Sequence, residues 1–208
     1  AFKTEFLKRL PAATAPIIVN PAPVALSRVM KDPGVSVGRP FVLFLGRREE
    51  HKGLALLIDS LGKMSCEATL VVAGPGNSCA AVGRGTIDLG PVDEQVKHWL
   101  LEQCALVCVP SRDESFGIVY AEAMAHAKPV VALDSAPVNE IVVHGETGLL
   151  IPPGRPDLLA GALDELLRDP EKRRRMGKKG YERFCEKYEE NKVMETALAL
   201  YTTVSAPS

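Results

Sequence analysis

The chain has 208 residues, 46% of them hydrophobic, enough to fill the core of one large domain or two small ones. Its formal net charge of −1 argues against bulk attraction to nucleic acid or to an acidic membrane surface. No apolar run reaches the roughly 20 residues that would span a bilayer.

In chain order, "AFKTEFLKRL" (1–10) reads as the end of a helix. It begins with Ala and carries no signal peptide, so a fragment or a processed chain is expected. The stretch 11–40 is rich in proline and small residues and reads as a linker holding one strand, "PIIVN" (16–20). Strands are then expected at "FVLFLG" (41–46), "ATLVVAG" (68–74), "TIDLG" (86–90), "ALVCVPS" (105–111), "PVVALD" (129–134) and "TGLLIPP" (147–153). Helices are expected at 52–64, with Leu54, Leu57, Ile58 and Leu61 on one stripe, at 93–103 with acids in the first turn, and at 117–127. Two more helical stretches, 155–169 and 170–201, close the chain, with Pro170 at a helix start.

Continuous Val/Leu/Ile strands alternating with helices indicate a parallel sheet covered on both faces. The fold class is therefore α/β, a doubly wound Rossmann-like sheet with a helical tail. Residues 41–185 are read as the domain, 1–40 as the segment leading into it, and 186–208 as the C-terminal helix and tail. Cys66, Cys79, Cys104, Cys108 and Cys185 are odd in number and form no C-x-x-C, so buried reduced thiols are expected rather than a disulfide frame or a metal site.

Ligands of such sheets bind at the carboxyl ends of the strands, near helix N-termini, so the loops leaving the strands are where chemistry should sit. In "LGRREEHKGL" (45–54), Arg47 follows the first strand and Lys52 opens the next helix. A planar fork and a point charge there make a phosphate clamp; ordinary loop charge is the alternative, since Arg48, Glu49, Glu50 and His51 are adjacent. Neither a Walker loop nor G-x-G-x-x-G is present. In "GPGNS" (74–78), Gly74 allows a ligand close to the backbone or marks a plain turn. In "VPSRDESFG" (109–117), Glu114 precedes a helix whose free amides, Ser115 to Ile118, suit phosphate or sugar hydroxyls. Glu122 lies within that mostly apolar helix. Carboxylates accept from hydroxyls, so two acids gripping different parts of one polyol is the functional reading. The other is an N-terminal charge plus a solvent-facing acid.

Three motifs together resemble the C-terminal domain of the retaining nucleotide-sugar glycosyltransferases with two Rossmann-like domains (GT-B fold), the "glycosyl transferases group 1" family. They are "GRREEHKG", "PSRDESFGIVYAEAMAHAKPVVALD" and "NEIVVHGETGLLIPPG", in order and at family spacing. The resemblance implies that Arg47 and Lys52 bind the donor diphosphate and stabilise the leaving group, with Glu114 on hydroxyls of the transferred sugar. It implies that the amides of Ser115, Phe116, Gly117 and Ile118 touch sugar and phosphate, that Glu122 holds the ribose, and that residues near Val92 lie beside the base. Arg47, Lys52 and Glu114 are then the catalytic set. It also implies a UDP-, GDP- or ADP-sugar donor, no cofactor and no metal ion, and no nucleic acid. The acceptor, a lipid-linked molecule or a polysaccharide, would sit on an N-terminal Rossmann-like domain that this sequence lacks; "AFKTEFLKRL" would be its last helix. A cytoplasmic location is expected, with peripheral binding at the inner membrane face an alternative for the basic run 172–184; a solvated helix face is the simpler account of that run.

The sequence departs from the family pattern at Ala136-Pro137, where two glycines are usual, at Asn139 in place of proline, and at Ala127 in place of glycine. The stretch after Gly74 leaves little room for the family's usual helix. A sugar-nucleotide epimerase or phosphorylase half on the same fold and a non-catalytic α/β interaction domain are the other readings. His126 is expected at a solvated helix end and Trp99 as a packing residue.

Overall fold

The computed structural model describes residues 23–25, 29–38, 40–77 and 85–205. The expected helix at 1–10, the strand at 16–20, Cys79 and most of the stretch after Asn77 lie outside the described residues. The rest forms six strands: Phe41–Leu45 (β1), Thr69–Ala73 (β2), Thr86–Gly90 (β3), Leu106–Cys108 (β4), Val130–Leu133 (β5) and Gly148–Ile151 (β6). They lie in the order β3-β2-β1-β4-β5-β6, and every pair is parallel. β1 is central, with Phe41 opposite Thr69 through to Leu45 opposite Ala73 on one side and Val42 opposite Leu106 on the other. All five of its residues are buried, as a strand covered on both faces requires.

The helices are Leu54–Leu61 (α1), Glu94–Gln103 (α2), Ile118–Ala125 (α3), Val138–Ile141 (α4), Pro156–Arg168 (α5), Pro170–Lys187 (α6) and Glu190–Ser205 (α7). Right-handed crossovers send α1 to one face and α2, α3 and α4 to the other, because the strand order reverses at β1/β4. α5 packs on α1 and α6 packs on α3, so each face gains a further helix. α5 shows why: Leu159, Leu163, Leu166 and Leu167 recur at helical spacing and are buried, and Pro156 starts the helix. The backbone of Val24, ahead of the sheet in sequence, pairs with the end of α6 by donating to the Tyr188 carbonyl at 3.0 Å.

Several elements are shorter than the sequence suggests. The strand expected over 105–111 stays in the sheet only at Leu106–Cys108, since the Ser111 amide turns back to the Val109 carbonyl at 2.9 Å. The helix expected over 52–64 begins at Leu54, because Glu50–Lys52 form a tight 3-10 turn and Gly53 takes a left-handed φ of 79°. On its stripe Leu54 and Leu57 are buried, and Ile58 and Leu61 half-buried. The four-residue α4 carries no periodic signal and is not anticipated. Cys104 and Cys108 are buried as expected, whereas Cys66 is half-buried and Cys185 exposed; the four are free thiols. In the basic run, Arg173 donates to the Leu167 carbonyl and Arg183 to the Ile141 carbonyl, so two cations staple elements together. Arg174, Arg175, Lys178 and Lys179 form a solvated face.

The α3–α6 crossing fixes the helix that carries Glu122. Ala121, Ala123 and Ala125 keep α3 slim, and Gly177 and Gly180 do the same for α6. A Cβ on Gly177 would run into the Ala127 carbonyl, and one on Gly180 would sit 3.2 Å from Met124 Cγ. Ala127 itself is left-handed at φ 51°, a conformation that disfavours a Cβ. We therefore expect Gly177→Ala to destabilise the chain by about 1–3 kcal/mol through overpacking. Ala127→Gly is expected to stabilise it by about 1 kcal/mol. Urea unfolding of both variants checks this; equal midpoints for the two would refute it.

Candidate functional site

At the C-terminal edge of the sheet, the connections leaving β1 and β4 run in opposite directions, which opens a crevice between their loops. Backbone contacts lock the two loops together. The Arg112 amide donates to the His51 carbonyl at 2.8 Å, and the Ser111 hydroxyl donates to the same carbonyl at 3.3 Å. A Cβ at position 53 would collide with the Pro110 carbonyl, so Gly53 lets the loops touch. From below, the buried Tyr120 hydroxyl ties α3 to the end of β4 by donating to the Val109 carbonyl at 2.9 Å.

That stitching brings Lys52 and Glu114 together across 62 positions of sequence. Lys52 Nζ lies 2.8 Å from Glu114 Oε2, and the two side chains are only 15% and 11% exposed. Arg47 stands at the rim, 65% exposed, pairing with Glu49 at 2.9 Å. Beside them the chain rises from Ser115 to Gly117, whose left-handed φ of 60° turns it into α3. Among the described residues, no group accepts a hydrogen bond from the amides of Ser115, Phe116, Gly117 or Ile118. Phe116 and Ile118 flank these donors as exposed apolar side chains. Two cations, a carboxylate and free helix-terminal amides thus share one crevice rim, an arrangement suited to a phosphorylated polyol.

Glu122 faces away from Lys52 toward α2. Its Oε1 lies 2.7 Å from Lys97 Nζ, which also lies 2.6 Å from Glu94 Oε2. Next to this pair, His98 Nδ1 meets His126 Nε2 at 3.0 Å, and His126 Nδ1 meets Glu102 Oε2 at 3.2 Å. His126 is thus not a solvated helix end: its side chain is 6% exposed and joins α3 to α2. Burial, and then the positive neighbours His126 and Lys97, hold His98 below its ordinary 6.5. A neutral His98 accepting at Nδ1 from His126, which donates through its other nitrogen to Glu102, fits that chain. Trp99 packs half-buried against the core.

On the other flank, the loops leaving β1, β2 and β3 meet. Gly74 has a packing reason to lack a side chain, since a Cβ there would strike the Gly46 carbonyl. Val92 is half-buried between β3 and α2. Arg48, by sequence an ordinary loop charge, is almost wholly buried at 4% exposure and forks onto the Asp88 carboxylate through both terminal nitrogens. It also reaches the Asn77 carbonyl at 3.3 Å, while the Gly90 amide donates to Asp88 at 2.9 Å. The signal was present: Asp88 is a carboxylate inside an expected buried strand, and a buried charge calls for a partner. Lys97 and the histidine pair had no such signal, because helix–helix proximity is not written in local pattern.

Among the described residues, no cluster of three or more His, Cys, Asp or Glu side chains could hold a metal ion, and no helix is long and apolar enough to cross a membrane. The chain resembles several characterised proteins. The phosphatidyl-myo-inositol mannosyltransferase of Mycobacterium leprae (strain TN) is 36% identical over 175 residues, covering 79% of this chain and 46% of that protein. Sucrose-phosphate synthase from Thermosynechococcus elongatus superposes with a TM-score of 0.82 at 24% identity, over 99% of this chain and 57% of that one. HepE of Anabaena, solved in complex with UDP and glucose, superposes with a TM-score of 0.70 at 23% identity, over 78% of this chain and 48% of that one. The chain thus spans about half the length of the relatives it matches. The family described as glycosyl transferases group 1 matches residues 28–183, so the chain belongs to that family, and its sheet and helices form the Rossmann-like C-terminal half of a GT-B fold.

Proposed function

We propose that this chain binds the donor of a glycosyl transfer, a nucleoside diphosphate sugar, and presents its anomeric carbon to an acceptor with retention of configuration. The observation that carries this reading is the Lys52–Glu114 pair at 2.8 Å, which joins the loop carrying the exposed Arg47 to the loop carrying the free amides of Ser115 to Ile118. Arg47 and Lys52 take the diphosphate and stabilise the negative charge that builds on it as the glycosidic bond breaks. Glu114 accepts from hydroxyls of the sugar over the amides. Glu122 accepts from the ribose, and the base lies toward Gly74 and Val92. In this reading the cations and the helix terminus meet the phosphate charge without a metal ion. The acceptor, lipid-linked or polysaccharide, is held by an N-terminal Rossmann-like domain, and the work is done in the cytoplasm or at the inner membrane face.

Calorimetric titration of the chain with UDP, GDP and ADP tests the reading. One of the three is expected to bind, and Arg47→Ala to weaken it about tenfold, as for a lost charge-assisted contact. Absence of binding by all three at millimolar concentration would overturn the proposal.

A further inference from the structure

Glu122 is the one charged side chain on a helix whose other central residues, Tyr120, Ala121, Ala123 and Met124, are buried. Its own side chain is 16% exposed, and its Oε1 is taken by Lys97 at 2.7 Å. Among the described residues nothing bonds Oε2. Lys97 is held in turn from the far side by Glu94, 2.6 Å away and 76% exposed. Its ammonium therefore sits between Glu94, an anchor in water, and the shielded Glu122. α2 and α3 do not need this pair to stay together. The His98–His126–Glu102 chain already bridges them, and Leu100 and Leu101 are fully buried in the core. Of the two pairs Lys97 makes, the one to Glu94 is the surface pair that adds little stability. What the pair does is fix the rotamer of a flexible acid.

We propose that Lys97 is a positioning residue for nucleotide recognition: by holding Oε1 of Glu122, it aims the remaining oxygen at the ribose hydroxyls and gives the site its preference for ribose. This rests on the reading of Glu122 as the ribose acceptor. Without Lys97, the carboxylate swings among rotamers and loses entropy on meeting each hydroxyl, so discrimination between ribose and a sugar lacking those hydroxyls falls.

The test compares UDP, GDP and ADP, each beside its 2′,3′-dideoxy form, by calorimetry on the wild-type chain and on Lys97→Met, Lys97→Arg and Glu122→Gln. The readout is the ratio of the two affinities, which a general loss of folding or of charge does not move. The wild type is expected to prefer the ribose form by about tenfold or more, the strength of a charge-assisted hydrogen bond. Lys97→Met and Glu122→Gln are each expected to lose most of that ratio, and Lys97→Arg to keep most of it. Lys97→Gln stands in if the methionine variant does not fold. If Glu122→Gln loses the preference while Lys97→Met and Lys97→Gln retain it, the positioning role is overturned and the ribose reading stands. If the wild type binds but shows no preference, the ribose reading falls and this proposal with it. If no nucleotide binds, the functional reading falls first.

Discussion

Replacing Arg48 with methionine is expected to lower the stability of the chain by about 3–5 kcal/mol, the range for removing one partner of a buried ion pair. The reason is the Asp88 carboxylate left behind. Its side chain is 13% exposed, and its strongest partner is the forked guanidinium. With that removed, the Gly90 amide alone cannot balance a charge in the sheet edge. The double variant Arg48→Met/Asp88→Leu is expected to recover most of the loss, because an apolar pair of similar volume replaces the ions without stranding either. Arg47→Met, one residue away and 65% exposed, is expected to stay within about 0.5 kcal/mol of wild type. Urea unfolding of the three variants measures this. An Arg48→Met midpoint equal to that of Arg47→Met would mean that water reaches the pair and relieves it. The effect also bears on the site, since Arg48 ties the loops leaving β1 and β2 to β3, and its loss should loosen the flank where the base would lie.

Neighbouring arginines with opposite fates show where the sequence was informative. The alternation of apolar strands and amphipathic helices is a local property, so the order of elements and the parallel sheet could be read directly. The site loops followed, because in a parallel sheet every functional loop leaves the same edge. Which of Arg47 and Arg48 points into solvent depends on how the β1 exit packs against Gly74 and Gly76, a long-range matter; a Cβ on Gly76 would lie 2.8 Å from Arg48 Cβ. His126 misled for the same reason. At a helix end it looks solvated, and only the placement of α2 beside α3 reveals His98 and Glu102 waiting for it. Ends of elements were overdrawn wherever backbone chemistry stops a strand sooner than apolar residues do, as at Pro110 and Ser111.

The Lys52–Glu114 pair leads to a prediction of opposite signs. A diphosphate arriving at Lys52 finds the ammonium already bonded at 2.8 Å to a carboxylate that repels phosphate. Two like charges ~6 Å apart repel by roughly 3 kcal/mol at an effective dielectric of ~20. Solvent at the rim cuts that to about 1–2 kcal/mol, near tenfold in affinity. Glu114→Gln is thus expected to tighten the binding of a free nucleoside diphosphate about tenfold, and Lys52→Met to weaken it about tenfold or more. For the sugar-bearing donor the order changes. If Glu114 accepts from sugar hydroxyls, as proposed, Glu114→Gln should lose the extra affinity that the sugar confers while Lys52→Met keeps it. Calorimetry with a nucleoside diphosphate and its glycosylated form, on both variants, separates the two roles. Should Glu114→Gln weaken the free diphosphate as Lys52→Met does, Glu114 would be acting through Lys52, holding its ammonium toward the phosphates. The carboxylate would then belong to the phosphate site and the sugar hydroxyls would need another acceptor.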